Sequence, residues 1–236
     1  PQVPPSPAPL MTAMVHPFTS LAYIASATDQ ILLGTGITLI AQRNAVVLAK
    51  ETASVDHLSK GRLLFGIGAG YLNQEFEALG INFEERGART DEYIDAIREL
   101  WTSEKPNFQG QFVNFSGIQS RPLAYQAGGP SVIVGGTSTP AFKRALLKGQ
   151  GWYGFAMDAE TSSACINSLS RLQDDIGRNS TLGELEISIT PRQPMTDELL
   201  REYEDIGVHR LILLQSGKST DELLSNIEKI AADYIE

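Results

Sequence analysis

Apolar positions in this chain follow two rhythms that alternate from about residue 17 to the C-terminus. Short runs that are apolar on both faces predict buried strands at Leu63–Gly68, Ser131–Val134, Gly151–Ala156, Leu185–Thr190 and Arg210–Leu214. Ile31–Ile40, apolar and β-branched, predicts one more. Helical spacing marks His16–Asp29, Asn44–Leu58, Leu72–Leu79, Thr90–Trp101, Pro140–Lys148, Ala159–Ile176, Thr196–Ile206 and Thr220–Tyr234. The clearest of these is Thr90–Trp101, with Tyr93, Ile94, Ile97, Leu100 and Trp101 on one face. The Asn44 helix should end near Lys60-Gly61, and Asp197 and Thr220 stand near helix starts, where capping residues belong. Phe108–Pro122 alternates aromatic and polar residues around Gly110 and Gly117, which predicts a short hairpin or excursion.

Six short strands, each followed by a helix, imply a parallel sheet covered on both sides. Spacing does not decide between an open doubly wound sheet and a closed eight-stranded barrel. Six units complete an open sheet but leave a barrel two strands short. No composition break divides the chain, so residues 1–236 read as one domain. Pro1–Pro9 holds five prolines and no basic stretch, so it reads as an extended loop and not as a signal peptide. A domain rarely begins inside such a loop, and an N-terminally incomplete domain is therefore expected.

Composition narrows the function. With 42% hydrophobic and 20% charged residues the chain suits a globular protein with a sizeable core. A net charge of −9 argues against nucleic acid or an anionic membrane as the general partner. No apolar run is long enough to span a bilayer. The single cysteine, Cys165, reads as a small buried hydrophobe on a helix, and no Cys/His cluster suggests a metal. A cytoplasmic location fits.

Two glycine loops carry the first chemical signal. In Gly66-Ile67-Gly68-Ala69-Gly70-Tyr71, three alternate glycines join a strand to a helix, where backbone can approach a ligand closely. The run is not the dinucleotide fingerprint, which would need glycine at Tyr71. The second loop, Gly135-Gly136-Thr137-Ser138, also follows a strand and precedes a helix, and its hydroxyls suit a phosphate. A tight turn without a ligand is the competing reading for each loop. On neighbouring parallel strands the two would face the same end of the sheet.

Several quoted segments resemble the luciferase-like monooxygenase superfamily. They are Leu33-Gly34-Thr35-Gly36-Ile37, Gln42-Arg43-Asn44 with Leu48-Ala49-Lys50, Asp56–Arg62, Gly66–Tyr71 and Glu75–Gly80. Arg86-Gly87-Ala88-Arg89-Thr90-Asp91-Glu92-Tyr93 with Leu100-Trp101 is similar to the F420-dependent oxidoreductase branch of actinobacterial type. The resemblance runs from about His16 to the C-terminus. It implies a (β/α)8 TIM barrel, of which this chain would hold strands three to eight. It also implies hydride transfer between the deazaflavin coenzyme F420 and a small organic substrate. The alternative within the superfamily is an FMN-dependent monooxygenase, served by a flavin or F420 reductase partner and using O2. A cofactor-free barrel fragment that only binds or assembles is the reading from another class, and homodimers are common among such barrels.

By the same resemblance, Gly36-Ile37 matches a cis bond backing the cofactor ring, while Ala69, Gly70, Tyr71, Gly135, Gly136 and Thr137 match phosphate and ribityl contacts. Many deazaflavin enzymes carry an acid where this chain has Tyr71, and the family's histidine at the second strand has no counterpart here, so the catalytic residues stay unassigned. Arg43, opening a helix past a strand end, either reaches the cofactor tail or substrate, or pairs with an acid on the helix surface. His16 falls in the loop before a helix, where the family usually has an acidic or small residue, and contact with the site is the lesser of its two readings. Arg86 and Arg89, among Glu84, Glu85, Asp91 and Glu92, read as an ion-pair network, and His57 as a helix C-terminal cap. Trp152 reads as core or mouth lining, and His209 as structural.

Overall fold

A computed structural model describes residues 14–235, so the extended loop expected over Pro1–Pro9 lies outside the described residues. The central feature is one parallel sheet with the order β1 (Leu33–Gly34), β3 (Leu63–Gly68), β6 (Ser131–Gly135), β7 (Gly151–Met157), β8 (Glu186–Pro191) and β9 (Arg210–Leu211). β2 (Thr38–Leu39) pairs with the upper part of β3. The sheet curls into a parallel half-barrel, as the αβ alternation and the barrel expectation require.

Around its outer face run α1 (Pro17–Ala27), α2 (Ala45–Leu58), α3 (Asn73–Ala78), α4 (Arg86–Thr102), α5 (Thr139–Lys148), α6 (Ala159–Ile176), α7 (Asp197–Asp205) and α8 (Thr220–Tyr234). The Phe108–Pro122 excursion contains the antiparallel pair β4 (Phe108–Gln109) and β5 (Asn114–Phe115). Glu92 anchors it by accepting from the amides of Gln111, Phe112 and Val113.

The core sits between sheet and helices. Leu63, Phe65, Ile67, Val132, Val134, Trp152, Ile187 and Ile189 point outward into it and are buried. The Phe65 ring meets Trp101 of α4 edge-on at 5.8 Å, and the Trp101 indole donates to the Ala49 carbonyl and to Thr52 Oγ1. α4 thus locks onto both β3 and α2. Arg62 closes the N-terminal side of the sheet, donating to the carbonyls of Ser59, Ile31, Ala25 and Thr28.

Three expectations are corrected. The Ile31–Ile40 strand is two short pieces, β1 and β2, with residues 35–37 outside both and the Gly36-Ile37 peptide cis. α4 starts at Arg86 rather than Thr90, continuing from a 3-10 turn over Phe83–Glu85 that Asn82 caps through its side chain. The caps of α7 and α8 are Thr196 and Ser219, each one residue before the position expected. A cap needs extended backbone ahead of the first helical residue, and both residues have it.

Candidate functional site

The C-terminal ends of the strands form the mouth of the half-barrel, where enzymes of this architecture carry their sites. Both glycine loops arrive there. Gly68–Tyr71 leaves β3 and Gly135–Ser138 leaves β6, its neighbour in the sheet. Together with Ile37, Leu39, Arg86, Arg144, Tyr153 and Phe155 they line a mouth cavity of about 660 Å³.

Each loop is held by its surroundings. Gly70 has φ +89°, and a Cβ there would lie 2.8 Å from the buried Phe76 ring. Gly136 has φ +112°, and its carbonyl accepts from the indole of the fully buried Trp152 at 2.8 Å. Ser138 caps α5 through its side chain, so the loop runs directly into a helix N-terminus, where partial positive charge favours an anion.

Beneath the mouth, an inner cavity of about 400 Å³ is lined by residues on the concave face of the sheet. Ile37, Tyr153 and Phe155 border both cavities and mark their junction. The Ile37 side chain lies across bare backbone. A Cβ built on Gly66, Gly68 or Gly135 would come within 3.1, 3.0 or 3.2 Å of it. A side chain at any of the three would push Ile37 aside, so the glycines let its apolar side chain lie close over the backbone. On Gly36 a Cβ would meet nothing within 4 Å, so that position opens into the inner cavity.

Across from this surface stand Tyr153 and Phe155 on β7. Tyr153 is buried, and its hydroxyl lies 2.7 Å from Thr190 Oγ1 on β8. Burial raises the Tyr153 phenol above its ordinary range, more than the Thr190 hydrogen bond lowers it, so it holds its proton.

The structure gathers Ile37, Ala69, Gly70, Tyr71, Gly135, Gly136 and Thr137 at the mouth and Gly36 just below. Arg43 lies elsewhere. It approaches Glu51 at 3.8 Å, stacks over Phe18 and bonds His16 Nε2 at 2.9 Å. Arginine has no acceptor atom, so His16 Nε2 accepts there. His16 itself borders a wider groove of about 740 Å³ on the outer helices, away from both glycine loops. His57 does not cap its own helix; it bonds the Leu123 carbonyl at 2.6 Å and so fastens the loop before β6. His209 exchanges hydrogen bonds with the Ile187 backbone, a structural role. Cys165 is only half-buried, and partial burial raises its thiol.

Two mouth residues were not legible as such. Arg144 forms a paired contact with Asp91 and is buried. Arg86 lies over the Phe83 ring at 3.7 Å and, among the described residues, has no carboxylate within ion-pair distance. The expected network reduces to the Arg89–Glu85 pair at 3.0 Å. Arg86 and Arg144 stand 58 positions apart in the sequence; only the packing of α4 on α5 joins them. Among the described residues no cluster could hold a metal, and no helix is long and apolar enough to cross a membrane.

Against known proteins, a family model described as luciferase-like monooxygenase matches residues 6–209. An uncharacterized protein of Mycobacterium tuberculosis is 30% identical over 219 residues, covering 92% of this chain and 76% of that protein. The FMNH2-dependent dimethylsulfone monooxygenase of Pseudomonas putida is 31% identical over 96 residues, covering 39% of this chain and 26% of the enzyme. Among solved structures, the coenzyme F420-dependent tetrahydromethanopterin reductase of Methanopyrus kandleri superposes with a TM-score of 0.64 at 18% identity. That match covers 75% of this chain and 54% of the reductase chain, so this chain spans about half the length of that structure.

Proposed function

Because this chain belongs to the luciferase-like monooxygenase family, whose members are oxidoreductases or monooxygenases, we propose that it transfers a hydride between coenzyme F420 and a small organic substrate. One observation carries the reading: both glycine loops converge with Ile37 on one mouth cavity that opens into an inner one. The residues fit a flat, phosphate-bearing cofactor. The Ile37 surface over the glycines accepts a planar ring, and the open side of Gly36 leaves space beside it. Backbone at Ala69, Gly70, Tyr71, Gly136 and Thr137, with the α5 N-terminus, suits a phosphate and a polyol chain. Arg86 places a positive charge at the rim, with Glu84 beside it on the same lining.

When bound, a deazaflavin supplies the ring carbon that accepts or donates hydride. The chain's own part is to bind, to orient and to exclude water. Ile37 and Phe155 furnish apolar walls at the junction, and Tyr153 furnishes a protonated hydroxyl.

A second reading, an FMN-dependent monooxygenase supplied by a reductase partner, is favoured by the FMNH2-dependent relative. The resemblance of Arg86–Tyr93 with Leu100-Trp101 to the F420-dependent branch supports F420. Titrating the purified protein separately with F420 and with FMN, and following quenching of each cofactor's fluorescence, distinguishes them. Saturable quenching of F420 alone is expected. Quenching of FMN alone would replace this reading with the monooxygenase one, and quenching of neither would favour a cofactor-free binding protein.

A further inference from the structure

Ala156 holds a backbone conformation that its side chain disfavours. Its φ is +52°, in the left-handed region, where a Cβ crowds the following carbonyl. The other non-glycine residue with positive φ among the described residues, Lys60, follows the end of α2 and precedes Gly61, a place where helices commonly turn left-handed. No helix ends at Ala156, which lies inside β7.

The cause is a bulge. β7 pairs with β8 at Gly154–Ile189 and again at Met157–Pro191, so Phe155 and Ala156 together oppose Thr190 alone. In an unbroken strand Tyr153, Phe155 and Met157 would share one face. The extra residue instead returns Met157 to the core, where it is buried. A Cβ on Gly154 would lie 2.4 Å from Met157 Sδ, so Met157 occupies the room that Gly154 leaves. Phe155 is thereby the last β7 residue to line the mouth cavity, which it shares with Ile37 and Gly136.

The bulge is held from outside the sheet. The Ala156 carbonyl accepts from Arg192 Nε at 3.1 Å. The Met157 carbonyl accepts from the Arg192 amide at 2.9 Å and from the hydroxyl of the buried Tyr203 at 2.6 Å. β7 lies between β6 and β8, and Tyr203 stands on α7, so these elements alone shape the turn. Backbone strain persists where its surroundings over-determine it, and it collects at binding sites. Met157 serves the core on the far side; what the strained turn adds on the near side is the placement of Phe155.

We propose that the β7 bulge is a positioning device for a planar aromatic ring: it fixes the Phe155 side chain as the aromatic wall against which the tricyclic ring of a deazaflavin or flavin packs in the mouth. Phe155 is then a specificity-determining residue, and Ala156 a positioning residue that acts through it. This deepens the hydride-transfer reading and rests on it for the identity of the ring.

The test uses lumichrome, the flavin tricycle without phosphate or polyol, on the full chain and follows its fluorescence anisotropy. The wild type should bind it saturably. Phe155→Leu, which keeps an apolar side chain but no aromatic face, should weaken binding about fivefold. Ala156→Gly relieves the left-handed strain but frees the turn, so ordering it on binding should weaken lumichrome about threefold. Its melting temperature should nevertheless hold or rise, a divergence of stability and affinity that a purely structural bulge would not give. Unchanged affinity in either variant, a lower melting temperature in Ala156→Gly, or no lumichrome binding by the wild type would overturn the proposal. Lumichrome binding without F420 or FMN binding would count against the cofactor reading alone. F420 binding without lumichrome binding would leave that reading standing and remove this one. Should Phe155→Leu not fold, the wild type and Ala156→Gly still decide the matter.

Discussion

On β3 and β6 the concave face of the sheet is bare backbone at Gly66, Gly68 and Gly135, whereas on β7 and β8 it carries Tyr153, Phe155, Ser188 and Thr190. The two halves face each other across the same space, but they tolerate change differently. The bare half works by the absence of atoms. A methyl group added at Gly66 has nowhere to go, because the Thr35 backbone fills the room, and one at Gly68 or Gly135 must push the Ile37 side chain aside. The other half works by the atoms present, and its side chains can be exchanged without moving the main chain. The first kind of wall fixes a shape, and the second can vary its chemistry.

The sharpest way to break this comparison is Gly66→Ala. Its Cβ would fall 1.9 Å from the Thr35 carbonyl oxygen, a backbone atom that cannot swing aside. Urea denaturation should show a loss of about 3 kcal/mol or outright unfolding. Stability within error of the wild type would mean that β1 and β3 do not approach as described. Trp152→Phe should cost less, about 1 kcal/mol in thermal unfolding, by removing the donor to the Gly136 carbonyl while keeping most of the packing against Phe142. F420 affinity should fall with it if the second loop matters to binding.

Alkaline pH probes the side-chain half. The Tyr153 and Tyr203 phenols, chiefly through burial, are raised above the ordinary value of 10.0. A raised phenol binds its proton more tightly in the folded state, so its contribution is intact below about pH 10 and disappears as pH rises through the folded value. Stability measured from neutral to alkaline pH should therefore drop above about 10, and Tyr153→Phe should flatten that drop. An unchanged alkaline limb in the variant would place the titration elsewhere. The smallest effect belongs to the double replacement Tyr153→Phe with Thr190→Val. Both hydroxyls go together, leaving no unmet partner, and unfolding free energy should stay within about 0.5 kcal/mol. A loss of several times that size would show that the pair supports the fold.

Much of this architecture could be read from the chain. The strand and helix alternation, the parallel sheet, the excursion at Phe108–Pro122 and the meeting of the two glycine loops all follow from apolar runs and glycine spacing. What stayed hidden is phase. In a strand apolar on both faces, sequence does not say which residue points inward, and a slip of one exchanges the faces. Trp152-Tyr153 is the case in point: Trp152 packs against Phe142 in the core and Tyr153 reaches the cavity. Arg86 was disguised by its acidic neighbours, with which it forms no ion pair, and Arg144 gave no local signal at all. The break between β1 and β2 was hidden for a related reason, since Thr35-Gly36-Ile37 continues a β-branched pattern through the turn.

The hydrogen bond between Trp152 and Gly136 also gives the protein an optical handle. The chain has two tryptophans, and Trp101 is held far from the mouth by Ala49 and Thr52. In a Trp101→Phe background all indole emission would come from a ring tethered to the second glycine loop. Its colour and lifetime would then report, without any label, whether that loop is still or moving when something enters the mouth.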